Sequence, residues 1–340
     1  MKNPSIVFTS PAVAEFTDYT YPETLGAHDV RLRLMASTIS AGTERAVLDG
    51  KLPAAGYKGF PRQSGYSAAA VVDAVGEAVT RVKVGDRVAA SWTRHSMFYV
   101  LPESQVYPMP EGVSFAEGAL VHIATFPMAA IRKCRLEIGE SAIIMGLGVL
   151  GLIGIELLKA AGAVPIIAVD PVPEKRTLAL SLGADYALDP FSPDFAETVK
   201  SITNGGAKVA LEVTGVGAGL NMVLDCIAPF ARVALLGCTR DSNFTIDYYG
   251  KVHARGVSLI GAHTNARPRG NSYPGYWTER EDAESILLLA KHGRIQLSRF
   301  VEETHTPKDA PLLYKRLLEN RSFPIVQFDW SRINENGDEA

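Results

Sequence analysis

Cysteine is scarce. Three occur in 340 residues, Cys134, Cys226 and Cys238, far apart and without a C-x-x-C pair. That excludes a disulfide framework and a metal knuckle. A basic excess is also missing: 34 Lys and Arg stand against 37 Asp and Glu, a net charge of −3. Nucleic acid is therefore not an expected partner. No apolar run is long enough for a bilayer, because Glu156 and Lys159 interrupt the longest one. The opening MKNPSIVFTSP shows no cationic segment followed by an apolar one, so no secretory signal is expected. The expectation is a cytoplasmic protein that meets neither membrane nor nucleic acid. Its 47% hydrophobic and 21% charged content is that of a globular chain, with length enough for two cores.

What is present concentrates in residues 141–170, SAIIMGLGVLGLIGIELLKAAGAVPIIAVD. A short apolar run reads as a buried parallel strand. Gly146, Gly148 and Gly151 follow with the spacing G-x-G-x-x-G, then a helical stretch stopped by Gly162. A second β-rich run over 164–169 ends in Asp170. Each part suits a dinucleotide. Gly146 permits a tight turn, Gly148 lets a pyrophosphate approach, and Gly151 lets helix and strand pack. Val149 and Leu150 open the helix, whose free N–H groups favour phosphate. Asp170 can accept hydrogen bonds from a ribose diol.

Strand and helix then alternate. Further strands are expected at 186–188, 209–213, 232–236 and 257–260, with helices at 174–182, 195–203 and 220–227. Six strands in this alternation predict a doubly wound sheet. The first 125 residues read differently, as short strands punctuated by glycine and proline: 30–35 alternates, 67–75 is small and β-branched, and 79–84 and 87–90 follow. Residues 115–133 read as one helix. The tail has a loop at 265–276, helices at 281–292 and 308–319, and a strand at 324–328.

Four stretches resemble the medium-chain dehydrogenase/reductase superfamily, the clan of zinc-type alcohol, polyol and threonine dehydrogenases. They are SAGTE at 40–44, VGEAVTRVKVGDRVA at 75–89, EGALVH at 117–122 and the glycine motif. The resemblance covers nearly the whole chain. It implies an α/β architecture: a GroES-like antiparallel β-rich catalytic domain at 1–125, an inserted doubly wound Rossmann domain at 126–265, and a segment at 266–340 completing the catalytic domain. It also implies a small-molecule substrate. A homo-oligomer, dimer or tetramer, is expected.

The departures from the family pattern carry the chemistry. Zinc-dependent members place Cys, His and a third donor where this chain has Ala41, Tyr66 and His122, and the cysteine lobe between 88 and 110 is absent. A catalytic zinc wants three N, S or O donors, so the expectation is a zinc-independent enzyme with no metal site. Tyr66 and His122 both move protons, and Thr43 stands at the family's hydroxyl relay position. Glu44 is a candidate to orient a neighbour or raise the pKa of His122.

By the same resemblance, Asp170 with Lys175 implies NAD rather than NADP, because a carboxylate repels a 2′-phosphate. Thr214, Gly237 and Cys238 follow the fourth and fifth strands, on the nicotinamide side. Trp92, His95 and Arg267 are candidate substrate contacts, and Arg269 shares the Arg267 loop.

The function expected is interconversion of a secondary alcohol and a ketone on a sugar-, glycoside- or cyclitol-like substrate. SAGTE is also similar to a branch with bacteriochlorophyllide-type hydroxyethyl dehydrogenases, which leaves a larger ring open. Two alternatives stand beside it: a reductase of activated C=C bonds from the same superfamily, and a non-catalytic NAD-binding protein.

Overall fold

A computed structural model describes residues 2–20, 24–50, 59–239, 241–320 and 322–339. The chain divides into two compact units, Met1–His122 with Ala283–Ala340, and Ile123–Asp282.

The first unit is built on a seven-stranded sheet. Its order runs Glu303–His305, Val326–Asp329, Asp29–Thr38, Ser67–Val75, Arg87–Ser91 and Val106–Pro108, with Phe98–Pro102 also pairing to Asp29–Thr38. Period two explains the central strand: Val30, Leu32 and Leu34 are buried while Arg31 and Arg33 take the other face. Phe8, Tyr314, Phe328 and Trp330 close the core over it. Residues 79–84 do not form the expected strand. The Lys83 N–H is taken by the Asp86 side chain at 2.9 Å and the Gly85 N–H by the Val72 carbonyl at 2.9 Å, so the segment is spent on a turn.

The helix expected over 115–133 is two helices. Ser114 and Glu117 form a capping box that starts Phe115–Gly118. A second helix, Val121–Lys133, begins three residues later and carries His122 in its first turn.

The second unit holds a parallel six-stranded sheet. Its order is Tyr186–Leu188, Ile166–Val169, Ala142–Met145, Ala207–Glu212, Ile227–Leu235 and Ser258–Gly261. The two central apolar strands, Ala142–Met145 and Ile166–Val169, are buried along their whole length, as helix-covered parallel strands are. Numbered within this sheet the order is 3-2-1-4-5-6, and the winding reverses between Ala142–Met145 and Ala207–Glu212. Ligands of such sheets bind beyond the carboxyl ends of the strands at that reversal.

Residues 266–282 pack with this second unit, whereas a boundary after 265 assigns them to the first. Arg267 Nη2 donates to the Thr125 carbonyl at 2.8 Å and Nη1 lies 3.6 Å from Asp282 Oδ2. Arg132 Nε donates to Asp282 Oδ1 at 2.8 Å, and its guanidinium stacks 3.6 Å from the Trp277 ring centroid. Charge pairing, invisible to local pattern, fixes the division.

Candidate functional site

The glycine loop is shaped by what cannot fit. Gly146 has φ +101°, a left-handed conformation that favours glycine. A Cβ on Gly151 would lie 2.0 Å from the Gly146 carbonyl oxygen, so loop and helix meet only because both residues are glycine. Gly148 is different: it is exposed, and a Cβ there would meet nothing within 4 Å. That open approach lies at the N-terminus of the helix Val149–Ala160, as a pyrophosphate requires.

Asp170 is buried at the end of Ile166–Val169, and it holds the loop together. Its Oδ2 accepts the Leu147 N–H at 2.8 Å and its Oδ1 the Val172 N–H at 3.0 Å. Each oxygen keeps a further lone pair for a ribose hydroxyl. Lys175 is half-buried in the following helix, Pro173–Leu182. At the next strand end Glu212 accepts the N–H groups of Thr214 at 2.8 Å and Gly215 at 3.1 Å. Burial pushes the Glu212 carboxyl above its ordinary range despite those bonds. Thr214 and Cys238 are exposed there, and Gly237 N–H donates to the Glu212 carbonyl at 2.8 Å. The donors and open backbone at these three strand ends suit a dinucleotide.

In the first unit Tyr66, Trp92 and His122 converge. The His122 ring, 1% exposed, meets the Tyr66 ring edge-on at 5.6 Å between centroids and the Trp92 ring at 4.8 Å. Tyr66 and Trp92 are half-buried. Trp92 holds φ +61°, uncommon for a bulky residue and typical of functional sites. Its N–H donates to the Tyr66 carbonyl at 2.7 Å, and Arg94 Nη1 ties the Thr93 carbonyl at 2.7 Å. Thr43 is half-buried in the helix Ala41–Leu48.

Three expected site residues are engaged elsewhere. His95 is fully buried, with Nδ1 2.8 Å from Ser37 Oγ and Nε2 3.2 Å from Glu44 Oε2. Gly65 allows this: it has φ +92°, and a Cβ there would fall 2.8 Å from the His95 ring. Glu44, 1% exposed, pairs with His95 rather than His122, and also accepts the Tyr314 hydroxyl at 2.5 Å. Burial pushes the Glu44 carboxyl up, but His95, Tyr314 and the Ser40 N–H outweigh it and hold it below the usual range. Tyr314 is raised well above its ordinary value by burial and by that carboxylate. Arg267, expected as a substrate contact, is committed to Thr125 and Asp282, while Arg269 is exposed.

Sequence reasoning missed Ser40, Glu212 and Tyr314. An acid closing the apolar run VALE was a signal for Glu212, and Ser40 opens the quoted SAGTE. Tyr314 left none, lying 270 positions from its partner.

Two family models match in chain order: the alcohol dehydrogenase GroES-like domain over residues 26–111 and the zinc-binding dehydrogenase over 149–279. The chain belongs to the medium-chain dehydrogenase/reductase superfamily. Among its relatives is an L-threonine 3-dehydrogenase of Pyrococcus horikoshii, 28% identical over 292 residues, 76% of this chain and 82% of that protein. A D-guloside 3-dehydrogenase of Escherichia coli K12 is 24% identical over 247 residues, 72% of this chain and 70% of that protein. The crystal structure of galactitol-1-phosphate dehydrogenase from Escherichia coli superposes with a TM-score of 0.83 at 19% identity, covering 97% of this chain and 100% of that one. Members of the superfamily use nicotinamide cofactors. One family model bears zinc in its name. Among the described residues of this member, no group of three His, Cys, Asp or Glu could hold a metal ion.

Proposed function

We propose that the chain is a zinc-independent, NAD-dependent oxidoreductase that interconverts a secondary alcohol and a ketone on a sugar-, glycoside- or cyclitol-like substrate. The observation that carries this reading is the edge-on pairing of Tyr66 and His122. By the resemblance, both stand where zinc-dependent members place ligands, and Ala41 takes the remaining position. Alanine and a neutral phenol are poor zinc donors, so one imidazole is left where three donors are needed. Proton-transfer side chains replace a Lewis acid.

A bound nicotinamide supplies hydride acceptance or donation. Gly146, Gly148 and Gly151 would hold its pyrophosphate, Asp170 and Lys175 its adenosine ribose, and Thr214, Gly237 and Cys238 the nicotinamide end. His122 takes the carbinol proton, Tyr66 hydrogen-bonds the substrate and sets its angle, and Trp92 offers an aromatic wall. The relatives named for a threonine and a guloside support a polar alcohol.

The test is a screen by NADH absorbance in the presence of chelator. It would offer methyl glycosides, myo-inositol, L-threonine, trans-cyclohexane-1,2-diol and cyclohexanol, with NAD and NADP in parallel. Turnover of a polar alcohol with NAD, unaffected by chelator, is expected. About one tightly bound zinc per chain by elemental analysis would sink the zinc-free mechanism. Activity confined to quinones or enones with NADPH would move the assignment to C=C reduction.

A further inference from the structure

Ser40 lies just ahead of the helix Ala41–Leu48 and is 7% exposed. Its hydroxyl oxygen accepts the hydrogen of the Tyr66 phenol. One residue pins its backbone from both sides. The Ser40 N–H donates to Glu44 Oε1 at 2.8 Å, and the Ser40 carbonyl accepts the Glu44 N–H at 2.9 Å. Glu44 is held in turn by the Tyr314 hydroxyl and by His95. Behind His95, Ser37 Oγ accepts the Trp330 indole N–H at 2.8 Å. Ser37, Glu44, His95, Tyr314 and Trp330 are each 1% exposed or less. A satisfied buried polar network of this kind is rigid. It runs from Trp330 to Tyr66, and Tyr66 alone among its members is half-buried.

We propose that Ser40 is a positioning residue that fixes the polarity of Tyr66, with the Glu44–His95 pair holding Ser40 in place. A phenol has one hydrogen to give. With that hydrogen committed to Ser40, Tyr66 meets the substrate as an acceptor, so the group it reads must be a donor. The reacting hydroxyl also has a single hydrogen, which goes to His122. The group that Tyr66 reads is therefore a second donor of the substrate, such as a further hydroxyl. This rests on the reading of Tyr66 and His122 given under Proposed function, and refines it.

Two measurements test it. First, the protein is labelled with ζ-¹³C tyrosine, and the Tyr66 line is assigned by its loss in Tyr66→Phe. Ser40→Ala should move that line and its titration, while Ser40→Thr, which keeps the hydroxyl, should restore both. Second, kcat/KM is compared for trans-cyclohexane-1,2-diol and cyclohexanol. The unmodified enzyme should favour the diol by about tenfold or more, the worth of one hydrogen bond to a site built for it. Ser40→Ala and Tyr66→Phe should each lose that preference, with NAD binding unchanged. The double variant should be no worse than Tyr66→Phe, because the two residues act as one unit.

A Tyr66 line unmoved by Ser40→Ala overturns the proposal alone. So does a diol preference that survives in Ser40→Ala, or mono-alcohols turned over as well as diols by the unmodified enzyme. No turnover of any alcohol in the panel overturns the function reading, and this refinement with it.

Discussion

In the proposed reaction His122 and Tyr66 divide the proton work by chemistry. An imidazole accepts a proton near neutral pH, whereas a phenol with pKa near ~10 does not. We expect His122→Ala to cut kcat by at least about 10²-fold, the usual worth of a placed general base. NAD affinity should not change, since His122, which packs against Tyr66 and Trp92, is not among the residues proposed to hold the cofactor. Tyr66→Phe should cost less, about tenfold, because it removes one hydrogen bond. Steady-state kinetics and the pH profile of kcat/KM check both, and the ascending limb should vanish in the His122 variant. If His122→Ala folds, binds NAD and turns over at the original rate, the base is another residue. At this scale the sequence offered residue types but not partners. Glu44 and His95 had the right chemistry for a site, yet face each other in a buried network.

At the scale of elements, the strand–loop–helix–strand unit does two tasks with one acid. Asp170 is proposed to hold the ribose diol, and it also takes the N–H groups of Leu147 and Val172. Its substitution should therefore touch both cofactor choice and loop order. We expect Asp170→Ser to lower the NAD-over-NADP preference in kcat/KM by about tenfold or more, through loss of ribose bonds and of charge repulsion toward a 2′-phosphate. A lower melting temperature should accompany it. Equal kcat/KM for NAD and NADP in the unmodified protein would remove the basis of the assignment. This unit was legible because its constraints are local. A left-handed turn at Gly146, a backbone approach at Gly151 that would leave a Cβ only 2.0 Å from the Gly146 carbonyl oxygen, and buried apolar runs each leave a mark within a few residues.

At the scale of the whole molecule, the pH dependence of stability reports a carboxylate no motif predicted. Burial pushes Asp282 up to about 6, against the pull of Arg267 and Arg132. Its unfolded value is 3.8, so between about pH 4 and 6 the folded state binds the extra proton. Stability from this group is therefore greatest at the acid end and falls as pH rises through that window. The slope is about 1.4 kcal/mol per pH unit at most. Glu44 acts in the opposite sense, since its lowered pKa gives stability that is lost on acidification. The measurement is thus a signed difference: the stability of the protein minus that of Asp282→Asn, by urea unfolding, should fall from pH 4 to pH 6. A constant gap would show that Asp282 does not titrate there.

The sequence by itself determined the doubly wound unit, its glycine loop, and the family to which the chain belongs. All three rest on spacings of a few residues and on the limits of backbone conformation. Only the tertiary structure decided that 266–282 packs with the second unit, that Arg267 is an anchor, that Glu44 pairs with His95, and that Ser40 touches Tyr66. Those outcomes depend on buried charges finding partners far along the chain, such as Tyr314 on Glu44 across 270 positions. Desolvation drives that pairing, and it leaves no periodicity for a sequence to display.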